Sequence, residues 1–89
     1  MNNFVIFKNP NLRYRKEDFG GIIKLKLKTL IINQKQYNFI NGIKKILIYN
    51  ELTDLDKKIA NKLIENNILL KVSLTRAKEL GLDIKMSNN

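Results

Sequence analysis

Apolar and polar residues alternate along the first half of the chain in a pattern that predicts β-strands. Residues 12–15 alternate apolar and charged side chains, and residues 22–27 alternate again. Residues 16–21 between them hold a charged turn and two glycines, which can adopt positive φ angles, so a hairpin is expected there. Residues 29–32 are apolar and rich in β-branched side chains, which predicts a third strand. The apolar run at residues 4–7 either pairs at a sheet edge or covers the core.

The alternation in the second predicted strand assigns its side chains to two faces. Ile23, Leu25 and Leu27 fall on one face, which we expect to be buried. Lys24 and Lys26 fall on the other face, which we expect to be solvated or to dock a partner enzyme together with the nearby Lys28.

Helical spacing replaces the alternation after the third strand. Asn33 is a suitable N-cap for a helix over residues 34–41 that stops at Gly42. Residues 44–50 fit both a strand and a helix by periodicity, and we assign them to a short helix.

A longer helix is predicted over residues 53–67, with Thr53 or Asp54 as its N-cap, and it is expected to pack on the sheet. Its inward stripe is formed by Leu52, Leu55, Ile59 and Leu63, widened by Ala60 and Ile64. Residues 73–81 form a last short capped helix before a polar tail. Three strands followed by helices predict an α+β fold with an antiparallel sheet and helices on one face.

The composition narrows the function by excluding most catalysis. The 89 residues suffice for one small domain, and they contain neither cysteine nor histidine. A thiolate nucleophile, a zinc-thiolate site and a side chain that titrates near neutral pH are therefore excluded. The close carboxylate pairs, Glu17 with Asp18 and Asp54 with Asp56, are explained by a turn and a helix start. We expect no enzyme, no cofactor and no metal.

The charge is high and unevenly distributed. The net charge is +9, and residues 1–45 carry ten basic and two acidic side chains, a net of +8. A bias toward Lys, Ile and Asn codons explains this as well as selection for a polyanionic partner does. No apolar run is long enough to span a bilayer, and the first eight residues lack the features of a signal peptide, so we expect a cytoplasmic protein without a membrane partner.

The third strand is an edge strand that nothing in its own sequence protects. No proline or charge interrupts Thr29, Leu30, Ile31 and Ile32. Such an edge can accept an extended peptide as an added strand, in which main-chain bonds give affinity. The alternative is that another element or a second copy covers the edge, and a homodimer is compatible with the sequence.

Several of these segments together resemble the PqqD-like family, also called RiPP recognition elements. The resemblance rests on residues 13–23, with their Glu-Asp-Phe-Gly-Gly run, and on residues 30–33 leading into residues 37–42. It covers roughly residues 11–70 and is nearest to the mycofactocin-type members. The chain departs from the family in having Asn41-Gly42 where an Asp-Gly pair is frequent.

The resemblance implies a winged helix-turn-helix-like fold and a non-catalytic function. It implies one peptide-binding domain over residues 1–72, followed by a short helix and a flexible tail over residues 73–89. Family members bind the leader of a ribosomally made precursor peptide between the third strand and the third helix, and present it to a modifying enzyme such as a radical SAM maturase. The resemblance therefore assigns peptide binding to Thr29, Leu30, Ile31 and Ile32.

Two lysines of the long helix complete the predicted site. Lys58 and Lys62 lie one turn apart, where they can meet acidic leader residues at the rim of the groove; a solvated helix flank is the alternative. The other function that we consider is a small basic winged-helix protein that binds nucleic acid. The charge favours it, but the lysines of residues 53–67 are offset by Asp54, Asp56 and Glu65, which makes that helix a poor phosphate-facing surface.

Overall fold

The computed structural model describes residues 3–81, which form two small antiparallel sheets and three α-helices. In chain order the elements are β1 (Phe4–Lys8), β2 (Arg13–Glu17), β3 (Gly20–Leu25), β4 (Lys28–Asn33), α1 (Gln34–Gly42), β5 (Leu47–Ile48), a 3₁₀ turn (Tyr49–Glu51), α2 (Asp54–Glu65), β6 (Leu69–Ser73) and α3 (Leu74–Glu79). Sheet A has the strand order β5-β1-β6, and sheet B has the order β2-β3-β4. The predicted α+β class is confirmed.

Sheet B is the three-stranded antiparallel sheet that the alternating pattern predicts. Two-residue turns at residues 18–19 and 26–27 join its strands. Gly20 begins β3 with a φ of +147°, and a Cβ atom at this position would lie 2.3 Å from the carbonyl oxygen of Ile32. Both the backbone angle and the close approach to β4 require glycine here.

The β3–β4 turn corrects the predicted position of Leu27. Ile23 is fully buried and Leu25 is half-buried, as the alternation predicts. Leu27, in contrast, is 95% exposed, because β3 ends at Leu25 and residues 26–27 form the tip of the hairpin. Lys26 lies in the same turn, so the two-faced pattern extends only as far as the strand does.

Sheet A shows the structural role of the apolar run at residues 4–7. β1 is its central strand, with Val5 opposite both Ile48 of β5 and Val72 of β6. The segment at residues 4–7 therefore pairs on both sides at the centre of a sheet, so neither the expected edge position nor a purely covering role is correct.

The predicted α-helix over residues 44–50 is wrong. Residues 47–48 pair with β1, and the 3₁₀ turn follows. The physical reason is that this segment has two apolar surfaces to contact. Ile46 and Ile48 pack on one side of sheet A, and Leu47 and Tyr49 pack on the other, which is the period of a strand. Strands therefore occur both before α1 and between the helices. The structure does not have the predicted order of one sheet followed by three helices.

Sheet A divides the core into two clusters. Ile6 faces the larger cluster, which joins both sheets to α1 and α2, and Val5 faces the smaller one beneath α3. The buried members of the larger cluster are Ile6, Ile23, Ile32, Ile40, Ile43, Ala60, Leu63, Ile68 and Leu69. The smaller cluster is built on Val5, Ile46 and Ala77.

The helix ends follow the capping residues. Asn33 and Gln36 form a reciprocal capping box at the start of α1, which confirms the predicted N-cap. Thr53 caps α2 by accepting a hydrogen bond from the backbone N–H of Asp56. The helix ends two residues before the predicted end, because Asn67 adopts a φ of +63°.

Packing of α2 corrects one residue of its predicted inward stripe. Ala60 and Leu63 are buried against the larger cluster, with Ile59 and Ile64 beside them. Leu55 is 62% exposed and lies on the flank of the helix. Its position, four residues before Ile59, follows the apolar spacing, but the helical rotation turns it away from the side of Ala60 and Leu63, which meets the core.

The last helix, α3, packs against β1 and β6 of sheet A. Ser73 caps α3, and Ala77 is fully buried against Val5 and Ile46. The predicted flexible tail falls partly on residues 82–89, which lie outside the described residues. Within residues 3–81, no helix has the length and apolar character needed to cross a bilayer.

Candidate functional site

The candidate site is the free edge of sheet B formed by β4. This strand pairs with β3 on one side, with Ile22 opposite Ile31 and Lys24 opposite Thr29. No strand within residues 3–81 pairs with its other side. The four residues predicted to bind a peptide, Thr29, Leu30, Ile31 and Ile32, all lie in β4.

The direction of the backbone groups in β4 follows from the hairpin and the helix cap. In a two-residue antiparallel hairpin the residues flanking the turn form a hydrogen-bonded pair, here Leu25 with Lys28, and bonded and non-bonded pairs then alternate. Leu30 and Ile32 therefore bond to β3. The N–H and C=O groups of Thr29 and Ile31 point away from β3, toward the open edge.

Asn33 gives independent support for this assignment and also ends the edge. Its N–H donates to Oε1 of Gln36 at 2.9 Å, so it is turned away from β3, as the alternation requires. Because this donor is used by the capping box, the free main-chain groups of the edge are those of Thr29 and Ile31.

The side chains of β4 alternate between the core and the outer face of sheet B. Ile32 is buried and Leu30 is half-buried, and both pack against the larger core cluster. Thr29 and Ile31 lie on the outer face, where Ile31 is 75% exposed. An exposed isoleucine beside two free pairs of main-chain groups is a surface that can bind an extended chain.

Three rows of side chains cross the outer face of sheet B, and the strand register defines them. The basic row consists of Arg13, Lys24 and Thr29. The apolar row consists of Arg15, Ile22 and Ile31. The cap row consists of Glu17, Gly20 and Asn33.

The outer face is electropositive near its centre. A shallow depression of about 170 Å³ is lined by Arg13, Tyr14, Arg15, Ile22 and Lys24. Arg15 is partly neutralised because its Nε donates to Oε2 of Glu17 at 2.5 Å. The positive charge that stays available is therefore concentrated in the basic row.

The two predicted lysines lie on a different element. Lys58 and Lys62 are exposed on α2, one turn apart, and the exposed Leu55 lies on the same side of the helix. The principal contacts of α2 are with α1 and β6, and those of β4 are with β3 and α1. The structure thus brings the four strand residues together in β4, whereas the two lysines lie on another element whose principal neighbours do not include β4.

Sequence reasoning missed three outer-face residues that flank the predicted site, namely Arg13, Arg15 and Ile22. The signal was present in the alternation of residues 12–15, which places both arginines on one face of β2. Their position beside β4 depends on the register of two hairpins, which the alternation alone does not supply.

The groups at the edge of β4 are suited to binding an extended chain. Among residues 3–81, no three acidic side chains come together in a way that could hold a metal ion. The groups at the edge are main-chain donors and acceptors, a threonine hydroxyl, an isoleucine and nearby cations.

Comparison with known proteins found no family model, no curated protein and no solved structure that matches the chain.

Proposed function

We propose that this protein is a non-catalytic peptide chaperone that binds the leader of a ribosomally synthesised precursor as an added strand on β4. It presents the bound leader to a modifying enzyme, for which a radical SAM maturase is the partner that the PqqD-like resemblance implies. The observation that carries the proposal is the open edge of β4, where Thr29 and Ile31 direct their main-chain groups outward beside an exposed isoleucine side chain.

The succession of β2, β3, β4 and α1, with α2 later in the chain, supports a PqqD-like, winged helix-turn-helix-like core within this fold. β2, β3 and β4 would correspond to the family's three strands, α1 to its first helix and α2 to its third. The segment between α1 and α2, where the family has a helix, holds β5 and the 3₁₀ turn instead. In this scheme, sheet A and α3 are additions to the peptide-binding core.

The lysines of α2 have a supporting role in the proposal. Neither Lys58 nor Lys62 has a hydrogen bond or an ion pair through its side chain in the described part of the chain, and both are exposed. They are therefore free to meet acidic leader residues that extend beyond β4. Leu55 would add an apolar contact on the same flank.

The second candidate function is nucleic-acid binding, because the outer face of sheet B carries Arg13, Arg15 and Lys24. The two functions differ in how they depend on salt. Phosphate contacts release counterions, so DNA or RNA affinity falls steeply as the salt concentration rises. Main-chain pairing and apolar contacts, in contrast, change little with salt.

Calorimetric titration at two salt concentrations separates the two functions. The ligands are a synthetic leader from a short reading frame that neighbours the gene, and a random-sequence DNA duplex. We expect leader binding to persist between about 0.1 M and 0.5 M KCl, while duplex binding falls by orders of magnitude. Leader binding that disappears like that of the duplex, or sequence-specific DNA binding at physiological salt, would reverse the ranking.

A further inference from the structure

The rows on the outer face of sheet B extend beyond β4 when a strand is added there. Such a strand bonds to the outward groups of Thr29 and Ile31 and places one residue beside each of them. Two of its residues, separated by one position, then continue the basic row and the apolar row. The cap row is not extended by main-chain pairing, because the N–H of Asn33 is already bonded to Gln36.

The two extended rows have different chemistry. In the basic row, Lys24 is exposed next to Thr29, whose short side chain leaves space for the lysine to reach across it, and Arg13 follows. No carboxylate belongs to this row. In the apolar row, Ile31 is 75% exposed, Ile22 is half-buried beside it, and Arg15, whose charge is paired with Glu17, follows.

Cross-strand neighbours on one face of a sheet favour opposite charges and paired apolar side chains. We infer that the bound peptide carries an acidic residue beside Thr29 and an apolar residue two positions away beside Ile31. This inference rests on the proposed function and specifies the ligand of the same site: an extended acidic and apolar peptide rather than any extended chain. The acidic residue follows the apolar one in an antiparallel complex and precedes it in a parallel one.

Two synthetic peptides and two charge variants test the inference. The acidic probe is Thr-Asp-Thr-Ile-Thr-Ile-Thr-Asp-Thr, whose pattern reads the same in both directions, and the basic probe has lysine in place of each aspartate. Each is titrated into isotopically labelled protein and followed by backbone amide chemical shifts, which measure weak affinities. The variants are Lys24→Glu and, as a control with the same change of net charge, Lys78→Glu on the exposed surface of α3.

We expect the wild type to bind the acidic probe about threefold to tenfold more tightly than the basic one. Lys24→Glu should abolish or invert this preference, whereas Lys78→Glu should retain it. Equal affinities in the wild type would overturn the inference, and so would a preference that Lys24→Glu leaves unchanged.

A proline variant distinguishes failure of this inference from failure of the proposed function. Ile31→Pro removes an outward donor of β4, and Lys16→Pro does the same on the opposite edge, β2. One outcome is that Ile31→Pro weakens binding of both probes, Lys16→Pro does not, and the wild type shows no charge preference. In that case strand addition on β4 is supported and the inferred ligand class is wrong. If both proline variants weaken the probes equally, or neither does, the assignment of the peptide to β4 is wrong as well.

Discussion

The substitution Ile31→Pro tests strand addition on β4. The register of this strand makes the test specific. The N–H of Ile31 points to the open edge, so its removal deletes a donor to the bound peptide while sparing the bonds between β3 and β4. Thr29 and Ile31 together offer two donors and two acceptors, and Ile31→Pro removes one of the donors. The fixed φ of proline also distorts the strand where the peptide pairs.

The expected loss of affinity follows from these contacts. One net hydrogen bond contributes about 0.5–1.5 kcal/mol, and the altered contact with the exposed isoleucine side chain adds to this. We therefore expect leader affinity to fall by roughly tenfold or more. Leu30→Pro should behave differently, because Leu30 bonds to β3, and its loss should destabilise sheet B itself.

Calorimetric titration of the leader measures the effect, and circular dichroism with chemical denaturation shows that the variants are folded. Lys16→Pro is the matched control, since Lys16 is exposed and its N–H points to the free edge of β2. Strand addition on β4 is refuted if folded Ile31→Pro binds the leader as tightly as the wild type, or if Lys16→Pro weakens binding to the same extent.

Other predictions concern the helix rim and the glycine of β3. Lys58→Glu with Lys62→Glu should weaken an acidic leader several-fold by calorimetry, whereas Lys44→Glu with Lys78→Glu, which changes the net charge equally, should not; equal effects would mean that only overall charge matters. Gly20→Ala should lower the free energy of unfolding by about 2 kcal/mol or more, because its φ is +147° and a Cβ would meet the Ile32 carbonyl. Gly42→Ala, where a Cβ meets nothing within 4 Å, should be neutral or stabilising in urea denaturation, and a similar loss at both glycines would contradict the argument.

Sheet B could be predicted because its signals are local. Residues 12–15 and 22–25 alternate on a sheet with one solvated face, and Gly20 and Gly21 mark the turn between them. Asn33 likewise indicates the start of α1, because the cap is formed within four residues. In each case the residues that determine the structure are near neighbours in the sequence.

Sheet A could not be predicted in the same way, because both of its faces are buried against apolar clusters. Val5 and Ile6 face opposite clusters, so the strand is a continuous apolar run without alternation. Its partner Val72 lies near the other end of the chain, and no local pattern indicates that pairing. Leu47 and Ile48 had the composition of a strand, but only contact with β1 decides between strand and helix there.

The candidate site was likewise predictable where its signals are local and unpredictable where they depend on strand register. The absence of proline and charge in residues 29–32 identifies an edge that can accept a strand. Which residues face outward is decided by the two-residue turn and the capping box, since a shift of one residue would exchange Ile31 with Ile32. The basic and apolar rows likewise require the register of both hairpins.

The most direct test of strand addition is to map the amide shifts of the labelled protein as the leader is added. We expect the largest changes on Thr29 and Ile31, whose N–H groups would acquire acceptors, and we expect these amides to become protected from hydrogen exchange. In an antiparallel complex we also expect nuclear Overhauser contacts between the Hα protons of the peptide and those of β4. Changes concentrated instead on Tyr14 and Lys16, the outward-facing amides of β2, would contradict the assignment of the peptide to β4.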